Sequence, residues 1–302
     1  MQLEGSACHA LRIPSIVLIL TNILLPRDMS GIVDGLQRKA FRMNLRGARR
    51  EAENLRRIRQ AEAEAILSLV PRENRGIMLD VGCGLGYQSR FFRDFFRDVI
   101  SADLNKNGES GSVDILCRVE SLPFEGSLAD CVLLSNVLEH VWDRDTAIRE
   151  CIRVVKDDGA IVITVPSVIW KVFSMVGYYF EIARILTMAE SDCSSESCSA
   201  CSPVQTAESQ CNERSLTEYL LPLVHGSFSG NLDELLSYRV SFWKRLFTKA
   251  GMVDVVAHKL PLYPFRFIEI EPLRKILERI GFSSSSCFVI RQSVQSVHVR
   301  KC

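Results

Sequence analysis

The sequence predicts an α/β fold built on a doubly wound, mostly parallel sheet. Three observations carry that prediction. Between residues 76 and 166, short apolar runs alternate with segments of helical period. A glycine-rich turn, Gly82-Cys83-Gly84-Leu85-Gly86, stands where the first run gives way to a helix. The composition is that of a globular chain, 47% apolar and 24% charged over 302 residues, which excludes a disordered one.

The chain opens on an apolar and basic extension, assigned to 1–47. Ile13–Leu25 is apolar over 13 residues, interrupted by Pro14, Thr21 and Asn22. That is short for a membrane span and has the length of a signal-peptide apolar region. Glu4, His9 and Arg12 precede it, and Pro26-Arg27-Asp28 follows in place of a small-residue cleavage site. A cleaved signal, an interfacial anchor and a docking extension are the readings it leaves open. Residues 38–59 are basic: Arg38, Lys39, Arg42, Arg46, Arg49, Arg50, Arg56, Arg57 and Arg59 face only Glu51 and Glu53. Ala48 to Val70 has one helical stripe, Leu55, Ile58, Ala65, Ile66 and Leu69, and Pro71 ends it. Its basic face is either simply solvated or lies beside anionic lipid or an acidic ligand.

The core is assigned to 48–166. Strands are expected at Gly76–Val81, Val99–Asp103, Val113–Arg118, Asp130–Ser135 and Ala160–Val165, the last closed by Pro166. Helices are expected at Tyr87–Phe96, with Phe91, Phe92, Phe95 and Phe96 as core packing, and at Thr146–Val155, stopped by Asp158-Gly159. Residues 167–235 read as an insertion or cap. Val168–Met188 is an apolar, aromatic helix, and 191–210 a Ser/Cys-rich loop. Residues 236–302 complete the core with a helix at Tyr238–Ala250 capped by Gly251, a strand at Met252–His258, a helix at Glu271–Ile280 and a strand at Cys287–Arg291. The two late strands suit antiparallel pairing.

Composition narrows the function classes. Lys+Arg is 37 and Asp+Glu 36, so the net charge of +1 gives no global field toward nucleic acid. The 11 cysteines are odd in number and several sit in core elements, which points to a reducing, cytoplasmic setting rather than a disulfide framework. Cys193, Cys198, Cys201 and Cys211 lack a second close pair, so no metal ligand is assigned.

The chemistry concentrates in Leu79-Asp80-Val81-Gly82-Cys83-Gly84-Leu85-Gly86. Glycines at a strand-to-helix turn let the backbone approach a ligand closely. Tyr87 stands where the dinucleotide fingerprint needs its third glycine, so that fingerprint fails. Asp80 would repel a pyrophosphate and suits a cationic or amino-acid group. Asp103, at the end of the second strand, can accept hydrogen bonds from both hydroxyls of a ribose.

With Ser101-Ala102-Asp103, Glu120-Ser121-Leu122-Pro123-Phe124 and Ser135-Asn136-Val137-Leu138-Glu139-His140-Val141, the chain resembles the class I S-adenosylmethionine-dependent methyltransferases. Within them it is similar to the type-11 group that includes the ubiquinone- and menaquinone-biosynthesis enzymes. The resemblance covers about 50–166 well and Tyr238–Val256 more loosely, through a helix that ends in Ala-Gly. It implies a Rossmann-like core with S-adenosyl-L-methionine as cofactor. Asp80, Gly82, Cys83, Gly84 and Gly86 would line its methionine end. Asp103 would bind the ribose and Leu104 would pack on the adenine. Glu120 and Ser121 would border the adenine edge, and Asn136 would sit near the amino-acid moiety and the transferring methyl. The family often carries an acidic residue two positions before Glu120; here that residue is Arg118. His140 is the candidate general base, with Glu139 and Trp142 nearby in the chain.

The expected reaction is methyl transfer to a small-molecule or lipid-like acceptor. Peripheral membrane contact is expected through 13–25 and 38–59. Two alternatives stay open: a non-catalytic cofactor-binding partner or regulatory protein, and a methyltransferase acting on protein or RNA. Nucleic acid ranks lower, because the net charge is near zero and Phe41 is the one aromatic residue in the basic stretch.

Overall fold

The structure, a computed structural model, describes residues 53, 55–106, 112–192, 222, 224–262 and 271–291. The expectations for 13–25, for most of the basic stretch, and for the cysteines at 193, 198, 201 and 211 lie outside these residues. Two units are distinguished, Met1–Asn54 with Met175–Leu223, and Leu55–Ser174 with Val224–Cys302. Among the described residues, no helix is long and apolar enough to cross a membrane.

The second unit holds the sheet. Its elements in chain order are α1 (55–69), β1 (Ile77–Val81), α2 (Tyr87–Phe92), β2 (Asp98–Asp103), β3 (Ile115–Leu116), β4 (Ala129–Ser135), α3 (Arg144–Val154) and β5 (Val155–Pro166). These are followed by α4 (Val168–Asp192), which runs on into the first unit, then α5 (Asn231–Ser237), α6 (Val240–Lys249), β6 (Val255–Lys259), α7 (Glu271–Arg279) and β7 (Ser285–Arg291). The seven strands lie in the order β3-β2-β1-β4-β5-β7-β6. The first five are parallel, and β7 runs antiparallel to both neighbours. This is the predicted Rossmann-like architecture, including the antiparallel pairing of the two late strands.

Alternation along the strands explains why helices cover both faces. Leu79, Val132, Leu134, Ile161, Ile163 and Phe288 face a core closed by α3 and α6, through Ile148, Cys151, Trp243 and Phe247. Their chain neighbours Met78, Cys131, Leu133, Val162, Cys287 and Val289 face the opposite core, closed by α1 and α2 through Ala63, Ile66 and Phe92. A period of two in the central strands therefore builds two cores from one sheet.

Several boundaries differ from expectation for visible reasons. Helix α2 stops at Phe92 rather than Phe96; Phe92 and Phe96 are buried, while Phe95 is exposed. Helix α3 starts earlier, because the Asp143 carboxylate accepts the Thr146 amide at 3.0 Å and caps it. It ends at Val154, within one residue of the predicted Val155, but β5 starts at once at Val155 rather than at Ala160. The Ser127 and Leu128 amides donate to the Arg153 and Val154 carbonyls, both at 2.9 Å, and Val155 pairs with Ala129 in the sheet. The helix predicted at Tyr238–Ala250 is α6, which starts two residues later, and a further short helix, α5, precedes it at the end of the segment read as an insertion, with Tyr238-Arg239 between the two. Only Ile115 and Leu116 of the predicted third strand join the ladder, and Arg118 turns back to bridge Ser121.

Candidate functional site

Strand order reverses direction between β1 and β4, and the carboxyl ends of β1, β2 and β4 open on one edge of the sheet. A crevice at such a switch point is the usual ligand position in open α/β sheets. Of the predicted residues, Asp80, Gly82, Cys83, Gly84, Gly86, Asp103, Leu104 and Asn136 lie at these strand ends or in the turn after β1.

The turn is fixed by backbone bonds. The Gly82 and Cys83 amides both donate to the Ala102 carbonyl, at 2.7 and 3.2 Å. Gly82 has φ +78°, and a Cβ there would stand 2.4 Å from Val137 Cγ2. Gly84 differs: with φ +56°, a Cβ would meet nothing within 4 Å among the described residues. The space above Gly84 is therefore open, while that around Gly82 is filled by protein. Gly86 caps the start of α2. The Cys83 thiol is pushed up to about 12, chiefly by burial and then by the Asp80 and Asp103 charges, so it is no nucleophile.

Two carboxylates flank the turn. Asp103 Oδ2 accepts the Gly84 amide at 2.8 Å, and Oδ1 accepts the Asn105 amide at 3.0 Å. Asp80 is buried, and its carboxylate accepts a hydrogen bond from the Ser89 hydroxyl. Burial raises its pKa to about 6; the Asp103 charge acts in the same direction and Arg59 opposes it. Leu104 follows Asp103 and is 58% exposed, an apolar side chain largely open among the described residues.

Glu120 and Ser121 lie farther out. The Cys117 amide bonds the Asp103 carbonyl at 2.9 Å, so this segment leaves β3 from beside Asp103. Glu120 is paired with Arg118 at 3.1 Å, and Ser121 is exposed. Arg118, which stands where the resemblance leads one to expect an acid, thus engages Glu120.

At the end of β4, Asn136 holds a left-handed backbone, with φ +55°. Its amide donates to the Thr164 carbonyl and hydroxyl at 3.0 and 3.1 Å. Its side-chain Nδ2 is buried and has no hydrogen-bond partner among the described residues. A single 3-10 turn, Leu138–His140, follows. His140 meets solvent, yet crowding by protein atoms lowers its pKa, and the Arg59 and Arg144 charges lower it further. It is neutral at neutral pH. Glu139 is fully buried, and neither carboxylate oxygen has a hydrogen-bond partner among the described residues. Burial pushes its pKa up to about 8.

The structure adds residues that the sequence motifs do not single out. The His225 ring lies 4.6 Å from that of His140, centroid to centroid. Arg144 Nε donates to the Leu138 carbonyl at 2.9 Å and its Nη2 to Ser227 Oγ at 2.8 Å. The Ser227 amide donates to the Glu139 carbonyl at 2.7 Å. These bonds dock the segment carrying His225 on the Glu139-His140 turn. Nothing in the local sequence around His225 signals this; only the proximity of Glu139 and His140 to a glycine-loop strand could have prompted a search for a distant third group.

An orphaned buried donor at Asn136, open space above Gly84 and an uncovered Leu104 fit a ligand with an amino-acid end and a flat apolar end. S-adenosylmethionine has both.

Comparison with known proteins points to the same cofactor. Residues 79–163 match the type-11 family model described as a methyltransferase domain. A probable S-adenosylmethionine-dependent methyltransferase of Mycobacterium tuberculosis is 31% identical over 106 residues, covering 33% of this chain and 39% of that protein. A malonyl-[acyl-carrier protein] O-methyltransferase of Salmonella typhimurium is 25% identical over 114 residues, covering 35% of this chain and 45% of its own length. The match thus spans less than half the length of either curated relative. Among solved structures, a Haemonchus contortus phosphoethanolamine N-methyltransferase in complex with S-adenosyl-L-methionine aligns with a TM-score of 0.43 at 17% identity, covering 76% of this chain and 52% of that one.

Proposed function

Residues 79–163 form a class I methyltransferase domain of the type-11 group, and from that premise we propose that the chain transfers a methyl group from S-adenosylmethionine to a small-molecule or lipid-like acceptor. The observation that carries the reading is the pairing of Asp103 with the Gly84 amide at the switch point of the sheet, beside open space above the turn.

The bound cofactor supplies an activated methyl on a sulfonium, so the protein's task is alignment and exclusion of water, worth up to about 7–11 kcal/mol. Asp103 would hold the ribose hydroxyls with the carboxylate acceptor positions that Gly84 and Asn105 leave free. Leu104 would cover one face of the adenine, with Glu120 and Ser121 at its edge. Asp80, ionised, would favour the cationic methionine end, and Asn136 Nδ2 would donate to its carboxylate. Gly82, Cys83, Gly84 and Gly86 bring backbone rather than side chains to that end. His140 and its neighbours would face the acceptor, and a proton lost by the acceptor would leave through the Glu139-His140-His225 cluster.

An apolar acceptor is supported by large side chains left uncovered near this end of the chain's core. Trp142, two residues past His140, is 82% exposed, and Leu232 at the start of α5 is 70% exposed.

Calorimetric titration of S-adenosylmethionine into the full chain tests the reading. Saturable binding that Asp103→Ala weakens, followed by methyl transfer to one of a set of lipids and quinones, is the expected result. Folded wild-type protein that binds no cofactor would overturn it.

A further inference from the structure

Glu139, His140 and His225 each offer a ligand atom, and these atoms all lie within 4.8 Å of one another. The three come from two segments about 85 residues apart in the chain, joined only by the fold. Taken alone, such a group could be ordinary packing. The Glu139 side chain argues otherwise. It is fully buried and both oxygens lack a hydrogen-bond partner among the described residues. An uncompensated buried carboxyl is costly, and native structures retain one where something else satisfies it.

The frame around the cluster is built tightly. Gly226 has φ +96°, and a Cβ there would stand 2.4 Å from the Glu139 carbonyl oxygen, so the His225 segment approaches the Glu139 turn as closely as backbone allows. Ser227 Oγ donates to the Glu139 and Val141 carbonyls at 3.1 and 3.0 Å. The His225 amide donates to Glu234 Oε2 at 3.1 Å, and Tyr238 donates its hydroxyl proton to the His225 carbonyl at 3.0 Å. Both backbone groups of His225 are thereby fixed. The carboxylate that holds its amide is itself held by Lys171 at 2.6 Å in a buried pair. These partners fix the main chain from which the His225 ring projects, the support a ligand needs from the surrounding fold.

We infer that Glu139, His140 and His225 form a binding site for a divalent first-row transition-metal ion, held by two imidazole nitrogens and one carboxylate oxygen. Two imidazoles with a carboxylate suit zinc, cobalt or iron(II) rather than magnesium or calcium, which prefer all-oxygen sites. Ligand atoms on one tetrahedral ion at about 2.1 Å stand about 3.4 Å apart, so side-chain rotation must close the cluster by up to about 1.4 Å from its present 4.8 Å limit. Arg59 and Arg144 also act on these groups and oppose a cation. Arg59 is paired with Glu62 at 2.8 Å and Arg144 is spent on backbone carbonyls and Ser227, so ligand bonds and not net charge hold the ion. Three protein ligands leave a coordination position open, and the ion would lower the pKa of an oxygen placed there.

The site is inferred from these three residues alone and stands whether or not the chain binds S-adenosylmethionine. The test is a cobalt(II) titration of the chelator-stripped full chain, followed by visible absorption, with zinc(II) added in competition. One equivalent is expected, with ligand-field bands and no thiolate-to-cobalt charge transfer, which sets this site apart from any at the cysteines. Glu139→Gln and His225→Asn should each weaken it at least tenfold, with folding of both checked by circular dichroism. Absence of saturable binding by wild type would overturn the inference, as would thiolate charge transfer, or affinity unchanged in whichever variant folds. Cofactor calorimetry on the same stripped sample reports separately on the methyltransferase reading.

Discussion

The Gly84 amide donates to Asp103 Oδ2 at 2.8 Å, joining the turn after β1 to the end of β2. One carboxylate therefore shapes the glycine turn and faces the position assigned to the ribose. Asp103→Ala removes both functions and should weaken S-adenosylmethionine binding by about 10- to 100-fold, since hydrogen bonds to charged groups are worth about 1.5–3 kcal/mol. Asp103→Asn keeps one acceptor oxygen and should fall between. Calorimetry on the three proteins checks the order; equal affinities would remove Asp103 from the site.

Asp80 gives a pH dependence with a defined sign. Its folded pKa of about 6 lies above the ordinary 3.8, with burial the largest cause. The fold therefore favours the protonated form. Its stabilising contribution is full below about pH 4 and is lost as pH rises through about 6, on the order of 3 kcal/mol in all. A cationic ligand favours the ionised form, so cofactor affinity should rise between about pH 5 and pH 7, with proton release on binding at the lower end. Asp80→Asn should stabilise the free protein at about pH 8, flatten both profiles and weaken the cofactor. Denaturant unfolding and calorimetry in buffers of different ionisation enthalpy measure these effects.

The glycines of the turn separate stability from binding. Gly82→Ala would drive a methyl into Val137, 2.4 Å from its Cγ2, at a left-handed φ of +78°. It should destabilise the fold by about 2–4 kcal/mol. Gly84→Ala meets no atom of the described residues within 4 Å and carries the cost of φ +56°, about 1–2 kcal/mol. Its methyl projects into the open space, so its larger effect should be on cofactor affinity. A Gly84→Ala protein that binds normally would place the ligand elsewhere.

What the sequence made legible follows from the range of the interactions involved. The parallel strands are short apolar runs between turn residues, and Gly82, Asp103 and Asn136 sit at strand ends that local pattern marks. The boundary errors have tertiary causes. Strand β5 starts at Val155, ahead of the predicted Ala160, where the Ser127 and Leu128 amides take the last carbonyls of α3 and Val155 pairs with Ala129. The helix predicted from Tyr238 starts only at Val240, because Tyr238 is the buried link between α5 and α6, with its hydroxyl on the His225 carbonyl. His225 itself lies in a stretch whose local pattern reads as a cap, and its neighbours Glu139 and His140 are about 85 residues earlier. No periodicity reports such a meeting. Glu139 stood beside the candidate base in the motif, but nothing in its spacing shows that it is buried without a partner.

The buried pair Lys171–Glu234 links the start of α4 to α5, with N–O distance 2.6 Å and both side chains at most 2% exposed. Burial raises the Glu234 pKa although Lys171 opposes it, a sign that desolvation outweighs the attraction. Lys171→Met should therefore cost about 3–5 kcal/mol, because it strands the Glu234 carboxyl in the core. Glu234→Leu strands the ammonium instead and also frees the His225 amide that Glu234 Oε2 accepts at 3.1 Å. The double variant removes both charges, so its loss should be at least about 1 kcal/mol smaller than the sum of the singles. It still lacks the hold on His225, so its cobalt(II) affinity should stay below that of wild type while Lys171→Met alone retains more. Unfolding titrations of the four proteins supply the coupling, and the cobalt(II) titration tests whether Glu234 acts on the metal cluster through His225. Additive losses with unchanged metal affinity would mean that the pair is a packing feature only.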